Sequence, residues 1–398
     1  MIKFFSYIIS VLKVCLRSKL RYMIVLFFIL LYRIEFMPDT GGGFAKILQV
    51  GCLGGLIYGL LRYCPQIIQI TYGRTNRAIQ SCLILYLWAI ISTCWAFMPE
   101  FALFLSAQNV ILIVLFVWFF ALFNDFASLE RAFVSSAVII QLFQFLCLRL
   151  SLEPLFVHFL PGASVAALTL TYCVGEYLNK KDKDEMRMQM FLYASIVSAV
   201  NLILNTSGGA NAAAVCGIAV AMFFGGKRGY AVLLMFIGLF IFFNQELIDD
   251  ILLTLMPGKD MKTIEHGNGR DAIWEAIIES VSSRPVFGWG FACAERTVPN
   301  VIGGQILSDA HNSYVGIYGS LGYIGCVLFS IHLLSTGWEI FKRRMCAGYV
   351  GLLSAFACAC LNMYTYGFLS GKACSITMVY FMIVALTYHY KRVFLQNG

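Results

Sequence analysis

Long apolar stretches recur along almost the whole chain and are separated by short polar segments. Most are close to the roughly 20 residues that a helix needs to cross a bilayer. The pattern predicts twelve spans, at 22–38, 44–61, 78–98, 101–123, 132–150, 157–178, 189–205, 210–225, 230–244, 313–335, 347–367 and 374–390. A membrane barrel is excluded because its strands alternate apolar and polar residues, whereas stretches such as 110–123 are apolar on every side.

The predicted fold is therefore all-α, a polytopic transmembrane helix bundle with one large loop. Nine spans fall in residues 1–244, the loop occupies 245–312, and three spans fall in 313–398. The composition agrees, since 60% of the residues are hydrophobic and 13% are charged, against about 45–50% and about 25% in soluble proteins. A water-soluble enzyme is excluded.

The net charge of +8 raises the question of a nucleic-acid partner, which the positions of the basic residues answer. Twenty of the 29 lysines and arginines fall in alternate intervals between the predicted spans. Cytoplasmic loops are enriched in such residues, so we expect both termini in the cytoplasm and the 245–312 loop on the other side. The charge thus indicates topology, and no nucleic-acid partner is expected.

The large loop contains one amphipathic segment, residues 269–281. Its apolar residues have the spacing of a single helical face. They are Ile273, Trp274, Ile277, Ile278 and Val281. We expect this helix to lie on the membrane surface or against the mouth of the bundle, with Arg270 at its start. A cation beside the free amides of a helix start favours an anion such as a diphosphate, although Arg270 could equally pair with a nearby carboxylate.

A second candidate lies where the loop reaches the tenth predicted span. His311 stands there between Asp309 and Asn312, and a neutral imidazole can accept a proton near pH 7. A single histidine at such a boundary can also be structural. The span that follows has a glycine at every third position, which would let another helix approach closely. These glycines are Gly316, Gly319, Gly322 and Gly325.

Several other kinds of chemistry find no support in the sequence. There is no nucleotide-binding glycine loop and no cluster with metal-ligand spacing, so neither a cofactor nor a metal is expected. Of the fourteen cysteines only Cys293 lies clearly in the loop, and we expect the cysteines to be small packing residues. Ionisable residues are scarce within the predicted spans, which weakens an assignment as an ion-coupled transporter.

The motifs around Arg270 and His311 resemble those of bacterial O-antigen ligases and related polysaccharide polymerases. His311-Asn312 is followed after nine residues by Gly322-Tyr323-Ile324-Gly325, as in the signature H-[NSQ]-x9-G-x-x-G. Gly269-Arg270 with Trp274, and then the segment 285–290 (PVFGWG), are similar to the family pattern G-R-x-x-x-W…P-x-x-G-x-G. The resemblance implies a bundle like that of type C glycosyltransferases, in the bacterial inner membrane, with a large periplasmic loop.

The resemblance also implies an activity, the inverting and metal-independent transfer of a glycan from undecaprenyl diphosphate. Arg270 would stabilise the departing diphosphate, and His311 would accept the proton of the acceptor hydroxyl. The other residues expected to bind substrate are Arg149, Arg284, Arg296, Asn312, Trp274 and Asp309, of which Asp309 could equally be a helix N-cap. The glycines of the structural motif are Gly288, Gly290, Gly322 and Gly325.

One departure from the family bears on the choice of activity. Many relatives join their seventh and eighth helices by a Ser-Arg-Gly-like turn, whereas residues 205–210 read Asn-Thr-Ser-Gly-Gly-Ala, with Gly208 at the arginine position. Either Arg149 supplies the missing cation or donor binding differs. The departure favours a polymerase of O-antigen or capsule, which could work with a chain-length regulator protein. The alternatives are a ligase that transfers the glycan to lipid A-core and, more distantly, a flippase.

Overall fold

The structure is a computed structural model, and it describes residues 76–121, 123, 125–149, 159–179, 185–205, 207–231, 270–298, 310–346 and 348–396. Within these ranges the chain is helical and contains no strand. The main helices are α1 (Arg77–Ile91), α2 (Pro99–Ala121), α3 (Phe126–Arg149), α4 (Phe159–Leu178), α5 (Glu185–Leu204), α6 (Gly208–Phe224), α7 (Arg270–Val281), α8 (Ser313–Phe341), α9 (Tyr349–Thr365) and α10 (Ser375–Gln396). Two 3-10 turns, Ser92–Trp95 and Ala294–Arg296, belong to the connections.

Each predicted span that falls within the described residues corresponds to one helix, and α7 corresponds to the amphipathic segment of the loop. Helices long and apolar enough to cross a membrane run over Arg77–Trp95, Pro99–Val117, Phe126–Leu146, Glu185–Leu204 and Ser313–Phe341. The protein is thus an integral membrane protein. The predicted spans 22–38, 44–61 and most of 230–244 lie outside the described residues, so the count of twelve stays a prediction.

Helix α4 lies among α3, α5, α6 and α9, and small residues allow the close approach. A Cβ atom at Gly175 would lie 2.9 Å from the backbone of Gly351 in α9. The two helices are antiparallel, because Ser164 near the start of α4 donates a hydrogen bond to Asn362 near the end of α9 (3.2 Å). We call this end of the bundle, where α4 starts and α9 ends, the His311 end, because Ser313, two residues after His311, bonds to Tyr366 directly after α9.

Two fully buried carboxylates lie toward the opposite end of the bundle. Glu176 accepts hydrogen bonds from the amides of Gly348 (3.1 Å) and Gly351 (2.8 Å), so it caps the start of α9. Glu130 accepts a hydrogen bond from the hydroxyl of Tyr172 (2.7 Å) and forms an ion pair with Arg187. Glu130 precedes the predicted span, which begins at residue 132, whereas α3 begins at Phe126 and includes Glu130. Its partners Tyr172 and Arg187 satisfy this carboxylate inside the protein.

The capping role of Glu176 predicts a stability effect. Replacing Glu176 with Ala leaves two buried amides without their acceptor, so we expect a loss of about 1–3 kcal/mol. A lower midpoint of thermal unfolding in detergent would measure it. The control is Glu185→Ala, which removes an exposed carboxylate that bonds only to the exposed Gln189 side chain among the described contacts and should change the midpoint little. Equal midpoints for the two variants would contradict the capping role.

Candidate active site

Helix α8 is interrupted at Gly322, whose backbone angles are φ 62° and ψ −158°. Side chains exclude other residues from this conformation, so glycine is required there. A Cβ atom at Gly322 would also overlap the backbone of Val286 and Phe287. The glycine therefore allows the helix to change direction. It also leaves room for a second chain segment to pack against the bend.

The second segment is 285–290, which forms hydrogen bonds with α8 on both sides of the interruption. Two carbonyls before Gly322 and two amides after it take part. The bonds join Trp289 N to Gly319 O (3.1 Å), Gly290 N to Ser320 O (2.8 Å), Tyr323 N to Pro285 O (2.8 Å) and Ile324 N to Val286 O (3.4 Å). The two glycine motifs of the sequence thus form one backbone joint, which we call the Gly322 joint.

The glycine spacing in α8 was interpreted as a groove for another helix, and this holds at one of the four positions. A Cβ atom at Gly319 would lie 2.6 Å from the Ile277 side chain of α7. At Gly316 the neighbour is the Ser370 side chain of the α9–α10 connection, and at Gly325 it is Leu321 of α8 itself. A three-residue glycine period cannot distinguish helix packing from a bend, because both need a missing side chain.

Helix α7 lies against the mouth of the bundle. Ile273 and Ile277 are buried with Ala294 and Ala310 in a small apolar cluster. The sequence left two positions open for this helix, on the membrane surface or against the mouth of the bundle, and in the structure it packs against the bundle. The expected apolar face is narrower than predicted, because Ile278 is 48% exposed.

His311 lies directly before α8, in the left-handed region with φ 50°. The preceding carbonyl, of Ala310, accepts a hydrogen bond from the indole nitrogen of Trp274 (2.8 Å). Asn312, which follows, caps α8 because its side-chain oxygen accepts from the amides of Tyr314 (2.9 Å) and Val315 (3.1 Å). The cap considered for Asp309 is therefore made by Asn312, and Asp309 lies outside the described residues.

Arg270 reaches the end of α9. Its Nη1 atom donates a hydrogen bond to the carbonyl of Thr365 (3.2 Å), and the side chain is half-buried. The next carbonyl, of Tyr366, accepts a hydrogen bond from the Ser313 hydroxyl (3.0 Å). Arg270 and the residues around His311 thus meet at the end of one helix.

Helix α6 also starts at this place. Its first residue is Gly208, and a side chain at Gly209 would overlap that of Thr365. The starts of α6, α7 and α8 therefore converge around the end of α9. Helix starts carry a partial positive charge. Together with Arg270 they make the His311 end of the bundle suited to an anion.

The other predicted cations have different surroundings. The guanidinium of Arg284 lies 4.4 Å from the ring centre of Trp289, and that of Arg296 lies 4.0 Å from the ring centre of Phe101. These contacts are cation–π interactions and do not involve the residues around His311. Arg149 is the last residue of α3, and its side chain is outside the described part of the structure.

The contribution of α9 to this site was not predicted from the sequence. Tyr364 packs its ring against Trp274 (5.3 Å between ring centres), and the two following carbonyls bond to Arg270 and Ser313. These residues lie at the end of the predicted span 347–367, where a tyrosine is ordinary interfacial usage. Backbone carbonyls leave no signal in a sequence, so only the structure could identify them.

The single cysteine expected in the loop is a packing residue in the structure. Cys293 is fully buried, and its thiol lies 3.7 Å from the Met98 carbonyl. Burial raises the pKa of this thiol, which disfavours the reactive thiolate. The described residues also contain no group of three His, Cys, Asp or Glu side chains that could hold a metal ion, and metal independence stays a prediction.

A comparison with protein families matches this part of the chain. Residues 193–330 match the model of the O-antigen ligase family. Over these residues the chain is similar to that family. The matched segment extends from α5 into α8 and contains Arg270, Trp274, the 285–290 segment, His311 and Gly322. The resemblance inferred from the motifs is thereby confirmed. No curated protein matches the chain significantly.

The Gly322 joint predicts a strong dependence on one glycine. In Gly322→Ala the strained backbone conformation would cost about 1–3 kcal/mol, and the added Cβ would overlap the backbone of Val286. We therefore expect a lower unfolding midpoint and poor recovery from detergent extracts. Gly337→Ala, in the same helix, is the control because its Cβ would lie 3.4 Å from the Phe356 ring, an ordinary contact. A Gly322→Ala protein as stable as the control would contradict the joint.

Proposed function

We propose that the protein is a membrane glycosyltransferase that joins undecaprenyl-diphosphate-linked glycan units at the periplasmic face. The observation that supports this best is the meeting of Arg270 and His311 at the end of α9, where three helix starts converge. A cation among helix starts suits a diphosphate. An imidazole beside it suits the removal of a proton from an acceptor hydroxyl.

The diphosphate of the donor is proposed to bind between Arg270 and the start of α6. Relatives carry an arginine at the position of Gly208, and this chain lacks it. The missing side chain at Gly209 lets α6 start against Thr365, whose carbonyl accepts from Arg270. Free amides of α6 would then replace part of the missing cation, with Arg149 as a further candidate ligand. Asp309, Arg284 and Arg296 stay proposed contacts of the glycan or diphosphate.

The reaction follows from these roles. The acceptor oxygen attacks the anomeric carbon of the donor glycan while its proton passes to His311. The bond between that carbon and the diphosphate oxygen breaks, and both its electrons leave with undecaprenyl diphosphate. Arg270 and the helix starts stabilise this charge as fixed donors. Attack opposite the leaving group inverts the anomeric carbon, and the scheme uses no metal or cofactor.

The membrane position of the site fits this donor. The polyprenyl chain would lie in the bilayer beside the bundle, with the diphosphate at the His311 end. The distribution of lysine and arginine puts that end on the periplasmic side of the inner membrane and both termini in the cytoplasm. A chain-length regulator protein is a proposed partner of the polymerase.

Polymerase and ligase differ in the acceptor, and glycan analysis of a deletion strain separates them. The absence of an arginine at Gly208 favours the polymerase, and the family match is compatible with both activities. We expect the deletion strain to lose the ladder of glycan lengths and to keep lipid A-core capped by a single unit, the polymerase result. Uncapped core with accumulated lipid-linked polymer would instead identify a ligase.

The catalytic roles predict large losses in two variants. In membranes that contain equal amounts of protein, His311→Ala should reduce glycan transfer by about 10²–10⁴-fold and Arg270→Ala by about 10²–10³-fold. Arg270→Lys keeps the charge and should recover part of the rate. The control is Arg344→Ala, because this arginine contacts Phe341 at the opposite end of the bundle. A folded His311→Ala protein with full activity would refute the general-base role.

A further inference from the structure

The backbone at His311 is unusual for the described part of the chain. Only Ala292 and His311 are non-glycine residues with a positive φ there, at 56° and 50°. The left-handed conformation costs roughly 1–2 kcal/mol for a residue with a side chain. The surroundings must therefore hold His311 in place, and the hydrogen bonds on either side of it show how.

On the C-terminal side, His311 is held by the N-cap and the first residue of α8. Asn312 caps the helix and is only 2% exposed. The next residue, Ser313, donates from its hydroxyl to the Tyr366 carbonyl and accepts from the amide of Leu369 (3.3 Å). This side of His311 is thus fixed to the bundle by α8 and the α9–α10 connection.

On the N-terminal side, a side chain of α7 bonds to the peptide group that precedes His311. The indole nitrogen of Trp274 donates to the carbonyl of Ala310 at 2.8 Å. This carbonyl belongs to the peptide group that joins Ala310 to His311, so the bond restrains the rotation that sets φ of His311. Ala310 itself is fully buried against Ile273 and Ile277.

The position of Trp274 is fixed in turn by α7 and α9. Its ring packs edge-on against Tyr364, with 5.3 Å between the ring centres. Arg270 lies four residues earlier on the same face of α7 and bonds to the next residue of α9, Thr365. One turn of α7 therefore holds both Arg270 and the peptide of His311 relative to α9.

We propose that Trp274 is a positioning residue for His311. Its indole N–H holds the Ala310–His311 peptide in the orientation that directs the imidazole toward the group bound at Arg270. The spacing of four between Arg270 and Trp274 then sets the distance between the leaving-group site and the base. This inference rests on the proposed function, since it takes His311 as the base.

The test removes the N–H and keeps an aromatic ring. Trp274→Phe retains packing against Tyr364 but cannot bond to Ala310. A misplaced catalytic group can cost about 10²-fold in rate, so we expect kcat to fall by roughly 10–100-fold while KM for the donor changes less than about threefold. The donor used is the lipid-linked glycan that accumulates in membranes of the deletion strain.

The matched control makes the same chemical change elsewhere. The indole of Trp95 donates to the Phe287 carbonyl at 3.1 Å, and no contact described for it involves the residues around His311. Trp95→Phe should keep kcat within about twofold of the wild-type value, because the bond is exposed and the Phe287 carbonyl is not one of the groups that bond to α8 in the Gly322 joint. Amide hydrogen exchange of residues 310–315 should be faster in Trp274→Phe and unchanged in Trp95→Phe, a readout independent of activity.

The dependence on His311 is tested with a double variant. If Trp274 acts through His311, Trp274→Phe should reduce the residual rate of His311→Ala by less than twofold, because coupled sites are non-additive. Independent losses, or a higher KM with unchanged kcat, would show that Trp274 binds substrate and would overturn the inference. A Trp274→Phe protein with wild-type kcat, together with an inactive His311→Ala protein, would overturn only the positioning role of Trp274. An active His311→Ala protein would overturn the proposed function itself.

Discussion

The arrangement of the site depends on the exchange of backbone hydrogen bonds at Gly322. Helix α8 gives up part of its own hydrogen bonding there, and the 285–290 segment takes its place on both sides of the bend. Because α7 leads directly into this segment, the joint fixes α7 beside the start of α8. Arg270 and Trp274 on α7 are thereby held next to His311. A conformation open only to glycine thus helps to determine where His311 and Arg270 lie relative to each other.

The rest of the bundle follows the requirement that buried polar groups find partners inside the protein. Glu176 meets this requirement by capping α9, and Glu130 does so through Tyr172 and Arg187. Glu176 thereby stabilises the start of α9, and Glu130 joins α3 to α4 and α5. At the His311 end, Asn312 caps the start of α8 in the same way.

The candidate site could be predicted from the sequence only where a side chain carries the chemistry. Arg270, His311 and the glycines of the 285–290 and 322–325 segments are identifiable because their types and spacing form a pattern. The part played by α9 could not be predicted, because its carbonyls bond to Arg270 and Ser313 regardless of side-chain identity. The capping of α8 by Asn312 could not be predicted either, since a cap and a substrate ligand need the same amide group.

By itself the sequence determined that the protein is a helical membrane protein, which stretches form the described helices, and which family its motifs indicate. These properties depend on local hydrophobicity and on short-range spacing, which are written along the chain. Only the tertiary structure decided that α7 packs against the bundle, that Gly322 bends α8, and that Trp274 holds the peptide before His311. Each of these depends on contacts between segments 30 or more residues apart in the chain, and no local pattern specifies which segments meet.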